Sequence, residues 1–209
     1  MASTFRSIWF ETLRQKWPVF LIVITVFILG HVAGCTGVDK MQPEQIQQLN
    51  LELDSFFQQA CMLEIDTPRA IRDVLYSNVT LILLIYLLGL TVIGIPVLLI
   101  IIFIRGFALG FTVMYLAREQ STQGIILTLA AIFPQNILLV PALLIAGMAS
   151  LSFALLLIRR FNNSKVLVWP KFVIYSWLMF LVLFCMAGAG VIEVYLTPLL
   201  VKFAANYAL

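Results

Sequence analysis

A chain of 209 residues, 62% of them hydrophobic and 11% charged, is far more apolar than a soluble domain, in which apolar residues make up about half. Its solvent is therefore the lipid bilayer. The net charge of +3 is small, and the basic residues lack aromatic interleaving, so membrane orientation accounts for them without a nucleic-acid partner.

The chain opens with a cationic amphipathic lead over residues 1–16 carrying Arg6, Arg14 and Lys16, which places it in the cytoplasm. Trp9 and Trp17 suit the headgroup level, and Pro18 fits the first turn of a membrane helix expected over 17–34. Val32-Ala33-Gly34-Cys35 resembles a lipoprotein cleavage box, but the leader before it is long and contains Glu11. The segment is taken as a signal anchor.

Residues 35–76 form an acidic loop. From Asp39 to Asp73 seven acids (Asp39, Glu44, Glu52, Asp54, Glu64, Asp66, Asp73) stand against Lys40, Arg69 and Arg72, a net of −4, which places the loop outside the cytoplasm. Within it, Pro43 and Glu44 start an amphipathic helix over 43–64, with Ile46, Leu49, Leu53, Phe56, Phe57, Ala60 and Leu63 at helical spacing. Its polar face lacks Lys and Arg, which favours docking on a protein surface over anionic lipid. Leu49, Leu53, Phe56 and Phe57 are the expected partner-binding anchors. Cys35 and Cys61 lie on the same outer side and could pair, with Cys185 left over in the last span. Thr67-Pro68 reads as the cap and first turn of the next helix.

Residues 77–200 hold the remaining membrane helices. The apolar run from Ser77 to Ala117 spans about 40 residues, enough for two crossings. The turn between them is expected at Gly94-Ile95-Pro96 or at Arg105-Gly106. The second is preferred, because an arginine costs least at the cytoplasmic interface. The polar patch 118–123 returns outside, and Phe133-Pro134-Gln135-Asn136 with Pro141 should break or kink the long run from Gly124 to Ile158. Arg159, Arg160, Lys165 and Lys171 then lie inside, and the span from Phe172 to about Leu196 leaves the C-terminus outside. No run alternates polar and apolar residues as barrel strands do; IYLLGLTVIGIPVLLIIIFI (85–104) is apolar on every face. The expected fold is all-α, a polytopic membrane helical bundle with about five transmembrane helices plus one extracytoplasmic amphipathic helix.

Chemistry is sparse. His31 is the sole histidine, which removes paired-His metal sites and Ser-His-Asp arrangements, and neither a phosphate-binding glycine loop nor a GxSxG elbow occurs. No catalytic residue, metal or cofactor is expected. Arg105 reads as an interfacial anchor or as a functional charge, and Glu193 has the same ambiguity near the outer end of the last helix. Gly106-xxx-Gly110 and the cluster Ala187 to Gly190 allow close helix approach, within the chain or at a homodimer seam.

The stretch GLTVIGIPVLLIIIFIRGFALGFTVMYL (89–116), followed by AAIFPQNILLVPALLIAGMASLSF (130–153), closely resembles the stage II sporulation protein M family of endospore-forming bacteria. The resemblance extends over nearly the whole chain and rests on Asn78 opening the second span, Gly89, Gly94, Arg105, Gly106, Gly110, Pro134, Gln135, Asn136 and Pro141. It implies a non-enzymatic scaffold in the mother-cell membrane around the forespore. It also implies two peptidoglycan-degrading partners in engulfment, the stage II sporulation proteins D and P. A transporter or permease-like subunit is the alternative, suggested by Arg105 in an apolar run and by the expected break at Pro134 to Pro141.

Overall fold

The computed structural model describes residues 2–51, 67–119, 122–162 and 168–208. Their order is α1 (Ala2–Val38), a helical run α2 at 43–51, α3 (Thr67–Gly89), α4 (Gly94–Glu119), α5 (Thr122–Asn162) and α6 (Trp169–Ala208). No strand occurs among the described residues. Among the described residues five stretches are long and apolar enough to cross a membrane: Trp17–Val38, Ile71–Gly89, Gly94–Tyr115, Asn136–Phe161 and Trp169–Gly190. The protein is a multi-pass all-helical membrane protein.

α5 is the central post. It touches α1, α3, α4 and α6, and its span is 56% buried where the other four are 22–28% buried. Leu139, Ala142, Leu143, Ala146, Leu151 and Phe153 of α5 form the middle of the core, with Val19 and Val23 from α1, Ile82 and Ile85 from α3, Leu98 and Ile102 from α4, and Met179 and Met186 from α6. The opposite faces present Leu21, Ile28, Leu84, Leu87, Ile100, Ile104, Phe180 and Phe184 outward, as expected where the surrounding solvent is hydrocarbon. Trp17 and Trp169 are exposed at the starts of the first and last spans, on the side that the basic residues predict to be cytoplasmic, and Tyr76 is exposed near the opposite end of the bundle on α3, the placement of interfacial aromatic residues in a spanning bundle.

Several expectations need correction. The lead and the first membrane helix are one continuous α1, so Pro18 lies inside a helix and not at its start. At the headgroup level, water can serve the carbonyl that a proline leaves without a donor. The helix carrying Asn78 begins at Thr67, so Asn78 lies within α3 and not at its first turn. The turn before α4 lies at residues 90–93, and Arg105 is inside α4. That turn is tightly knit. The Leu90 and Thr91 amides donate to the Leu87 and Leu88 carbonyls at 3.1 Å, and the Gly94 amide donates to the Thr91 hydroxyl at 3.2 Å. The last bond ties the turn to the first residue of α4 through a local side-chain contact, with Pro96 following in the first turn. Finally, α5 stays helical through Pro134 and Pro141 without a break, since membrane helices accommodate proline by small adjustments of neighbouring backbone.

Five crossings put residues 2 and 208 on opposite sides of the membrane, and the Arg and Lys clusters predict that residue 2 is the cytoplasmic one. Single cysteines at positions 3, 123 and 208 in a cysteine-free background test this orientation. In intact cells an impermeant thiol reagent should label 123 and 208 and spare 3; labelling at 3 would reverse the orientation.

Candidate functional site

The helix pair α1–α4 shares the most extensive interface in the bundle, and its cause is four glycines. A Cβ on Gly30 or Gly34 would run into the carbonyls of Phe103 and Phe107, and one on Gly106 or Gly110 would run into those of Phe27 and His31. Residue numbers rise together on both helices, so the pair is parallel. Each GxxxG face admits the other's backbone, the close approach that small residues permit between membrane helices. The Cys35 thiol contacts the Gly110 carbonyl at 3.4 Å and is free of any disulfide among the described residues; Cys61 lies outside them. His31 Nδ1 is buried at this crossing with no hydrogen-bond partner.

Beside the crossing, α1, α4 and α5 leave a cleft of about 240 Å³ lined by Phe27, Arg105, Ala108, Leu109, Thr112, Asn136, Leu139, Val140 and Leu143. Arg105 lies eleven residues after Gly94 and ten before Tyr115, the ends of the α4 span. It is therefore near mid-depth and not at the interface where the sequence reading set it. On insertion scales, an arginine there costs roughly 2.5–3.5 kcal/mol. Arg105 is half-buried, and no carboxylate pairs with it among the described residues. Thr112 Oγ1 donates to its own helix at Ala108 O, 2.8 Å away. The cleft thus has a cationic floor, apolar walls and polar groups, Thr112 and Asn136, at its outer end.

A second polar cluster is structural. Tyr175 is 5% exposed and stacks on Phe153 and Tyr86 with ring centroids 4.7 and 5.3 Å away. Its hydroxyl donates to the Tyr86 carbonyl at 3.0 Å, in the last turn of α3 where carbonyls lack intrahelical donors. With that proton committed, Ser150 is the donor in the 2.9 Å contact between its hydroxyl and Tyr175. Tyr86 and Ser176 share a further hydroxyl contact at 3.0 Å. Neither Ser150 nor Tyr175 was singled out from sequence; a serine and a tyrosine inside apolar runs were the available signal.

The expected site residues divide as follows. Arg105 and Asn136 meet in the cleft, Gly106 and Gly110 in the α1–α4 crossing, which gives these glycines an intramolecular role. Asn78 is 5% exposed, with its amide nitrogen unpartnered, and faces Gly190 of α6. Pro141 is exposed on α5, and Pro134 and Gln135 occupy α5 positions whose side chains are outside the described set. Of the outer-helix anchors, Leu49 is half-buried in α2, while Leu53, Phe56 and Phe57 lie outside the described residues. What is visible of α2 is tied to the bundle, because Tyr115 of α4 donates its hydroxyl to Asn50 Oδ1 at 2.8 Å.

Comparison with curated proteins and with solved structures finds no match. The family model for stage II sporulation protein M matches residues 23–198, from the first membrane helix through the last span. With five spanning helices on the page and that match over most of its length, the chain belongs to the stage II sporulation protein M family, as a membrane protein related to sporulation.

Proposed function

We propose that this protein is a non-enzymatic scaffold of the mother-cell membrane that anchors and organises peptidoglycan-degrading enzymes, the stage II sporulation proteins D and P, during forespore engulfment. The observation that carries the reading is the family match over residues 23–198 on a chain that is almost wholly membrane helix. Its one sizeable outer segment runs from Asp39 to about residue 70, too small for a glycan cleft with paired carboxylates. The permease-like alternative drew on a broken α5 and on Arg105 in an apolar run; α5 is continuous, while Arg105 does lie within the α4 span.

The outer helix is the proposed recruiting surface, through Leu49, Leu53, Phe56 and Phe57 as spaced apolar anchors. The tagged protein purified from sporulating cells should bring down both enzymes. Leu53→Asp with Phe56→Asp should remove them while the protein still reaches the membrane, and Glu52→Lys with Asp54→Lys should weaken recovery less, since the apolar stripe survives. Failure of the native chain to recover either enzyme overturns the scaffold reading. Full recovery by both variants moves the contact into the membrane spans.

A further inference from the structure

Arg105 is a cation at mid-depth of the bilayer with no carboxylate paired to it among the described residues. Between Asp73 and Glu193 the sequence holds one acid, Glu119, fourteen residues along α4 from Arg105 and so about 21 Å away. Glu193 belongs to α6, which does not touch α4. A second copy does not supply the charge either. Glu193 stands about 36 Å along α6 from Trp169, whereas Arg105 stands about 16 Å along α4 from Gly94, and both starting points are at the cytoplasmic side. Lipid phosphate is likewise remote. With a hydrocarbon core of about 30 Å, headgroups lie about 15 Å from mid-depth, beyond the reach of one snorkelling arginine side chain.

From this we infer that the Arg105 cleft receives a transmembrane helix of another protein, one that carries a single carboxylate, Asp or Glu, near the middle of its span. Charge complementarity selects the occupant, because a carboxylate held on a spanning helix is the anion that reaches this depth and pairs with guanidinium in bidentate fashion. The rim favours the same occupant. Ala108 and Thr112 are exposed on α4 and lie one turn apart above Arg105, so a helix backbone can come close there. This goes beyond the scaffold reading and does not depend on it; whichever protein carries the helix, the recognition is intramembrane and separate from the outer helix.

The test uses the full chain, donor-labelled, in phosphatidylcholine vesicles with acceptor-labelled peptides of about 23 leucines and alanines. One peptide carries a central Glu, a second a central Gln, and a third has the Glu moved seven positions toward one end. Energy transfer should report association of the central-Glu peptide roughly tenfold tighter than either of the others, equivalent to about 1.4 kcal/mol. Arg105→Gln should erase the preference, and Arg105→Lys should keep part of it. Ala108→Trp, which fills the cleft and leaves the charge, should also erase it, and this variant carries the test if Arg105→Gln does not fold. Equal binding of the three peptides, or a Glu preference that survives Arg105→Gln or Ala108→Trp, overturns the proposal. So does loss of the preference when phosphatidylglycerol replaces a third of the lipid, since that outcome assigns the cleft to an anionic lipid headgroup.

Discussion

Replacing Gly34 or Gly110 by leucine separates α1 from α4 and should be the most damaging pair of single substitutions in the bundle. Each glycine faces a carbonyl of the partner helix, Phe107 for Gly34 and His31 for Gly110, and backbone cannot move aside as a flexible side chain can. A leucine needs the axes to move apart, which undoes the packing of the three remaining glycines at the same crossing. Overpacking in a close-packed core costs about 1–3 kcal/mol, and loss of the paired contacts along the seam brings the expected total to roughly 3–5 kcal/mol. Thermal unfolding in mild detergent should show a large downward shift for Gly34→Leu and Gly110→Leu. Gly188→Leu serves as the control, because no atom lies within 4 Å of a Cβ built there. Equal behaviour of Gly188→Leu and Gly110→Leu would refute the interlocked crossing.

The second large effect is expected at Tyr175. Tyr175→Ala removes a ring stacked between Phe153 and Tyr86 and leaves a cavity beside α5, at a cost of about 3–5 kcal/mol for a large buried aromatic. Tyr175→Phe keeps the ring but strips the donor from the Tyr86 carbonyl and the acceptor from Ser150. It should cost about 1–3 kcal/mol, the penalty for buried groups left unpaired. Combining Tyr175→Phe with Ser150→Ala removes both hydroxyls, so the double variant should be less unstable than the sum of the two singles. Additive losses in that cycle would mean that the hydroxyl contact contributes nothing of its own.

Much of this was legible because membrane helices announce themselves locally. The number of crossings and the helical start at Pro43-Glu44 follow from apolar length and helical spacing, neither of which depends on distant residues. The α3–α4 turn was expected at Arg105-Gly106 and lies at residues 90–93, because the cost of a mid-membrane arginine was weighed against one glycine-proline signal. Thr91, three residues before Gly94, was the missing evidence for the earlier turn. The decisive reason lies elsewhere in the chain. Gly30 and Gly34 fit against residues 103–110 only if that stretch is one helix, so a turn at Arg105-Gly106 would destroy the longest interface in the protein. Gly106-xxx-Gly110 was recognised as a close-approach face, but its partner Gly30-xxx-Gly34 was overlooked, although the spacing is identical. The Tyr175 cluster had no local signature at all, since its members come from three helices and 89 residues separate Tyr86 from Tyr175.

The parallel pairing of α1 with α4 has a consequence for biogenesis. α1 contacts neither α3 nor α6, so when α1 and α3 have entered the bilayer they have no mutual surface to hold them. The partner of α1 is complete only when Glu119 has been synthesised, 81 residues after Val38, roughly 4–16 s later at about 5–20 residues per second. During that interval the Gly30-Gly34 groove faces lipid, open to any helix with small residues nearby. A nascent chain stalled before α4 is therefore a lone groove-bearing segment, a ready substrate for membrane quality control or for mispairing with a neighbour. The final topology gains its tightest joint at the expense of a long unchaperoned wait by its first helix.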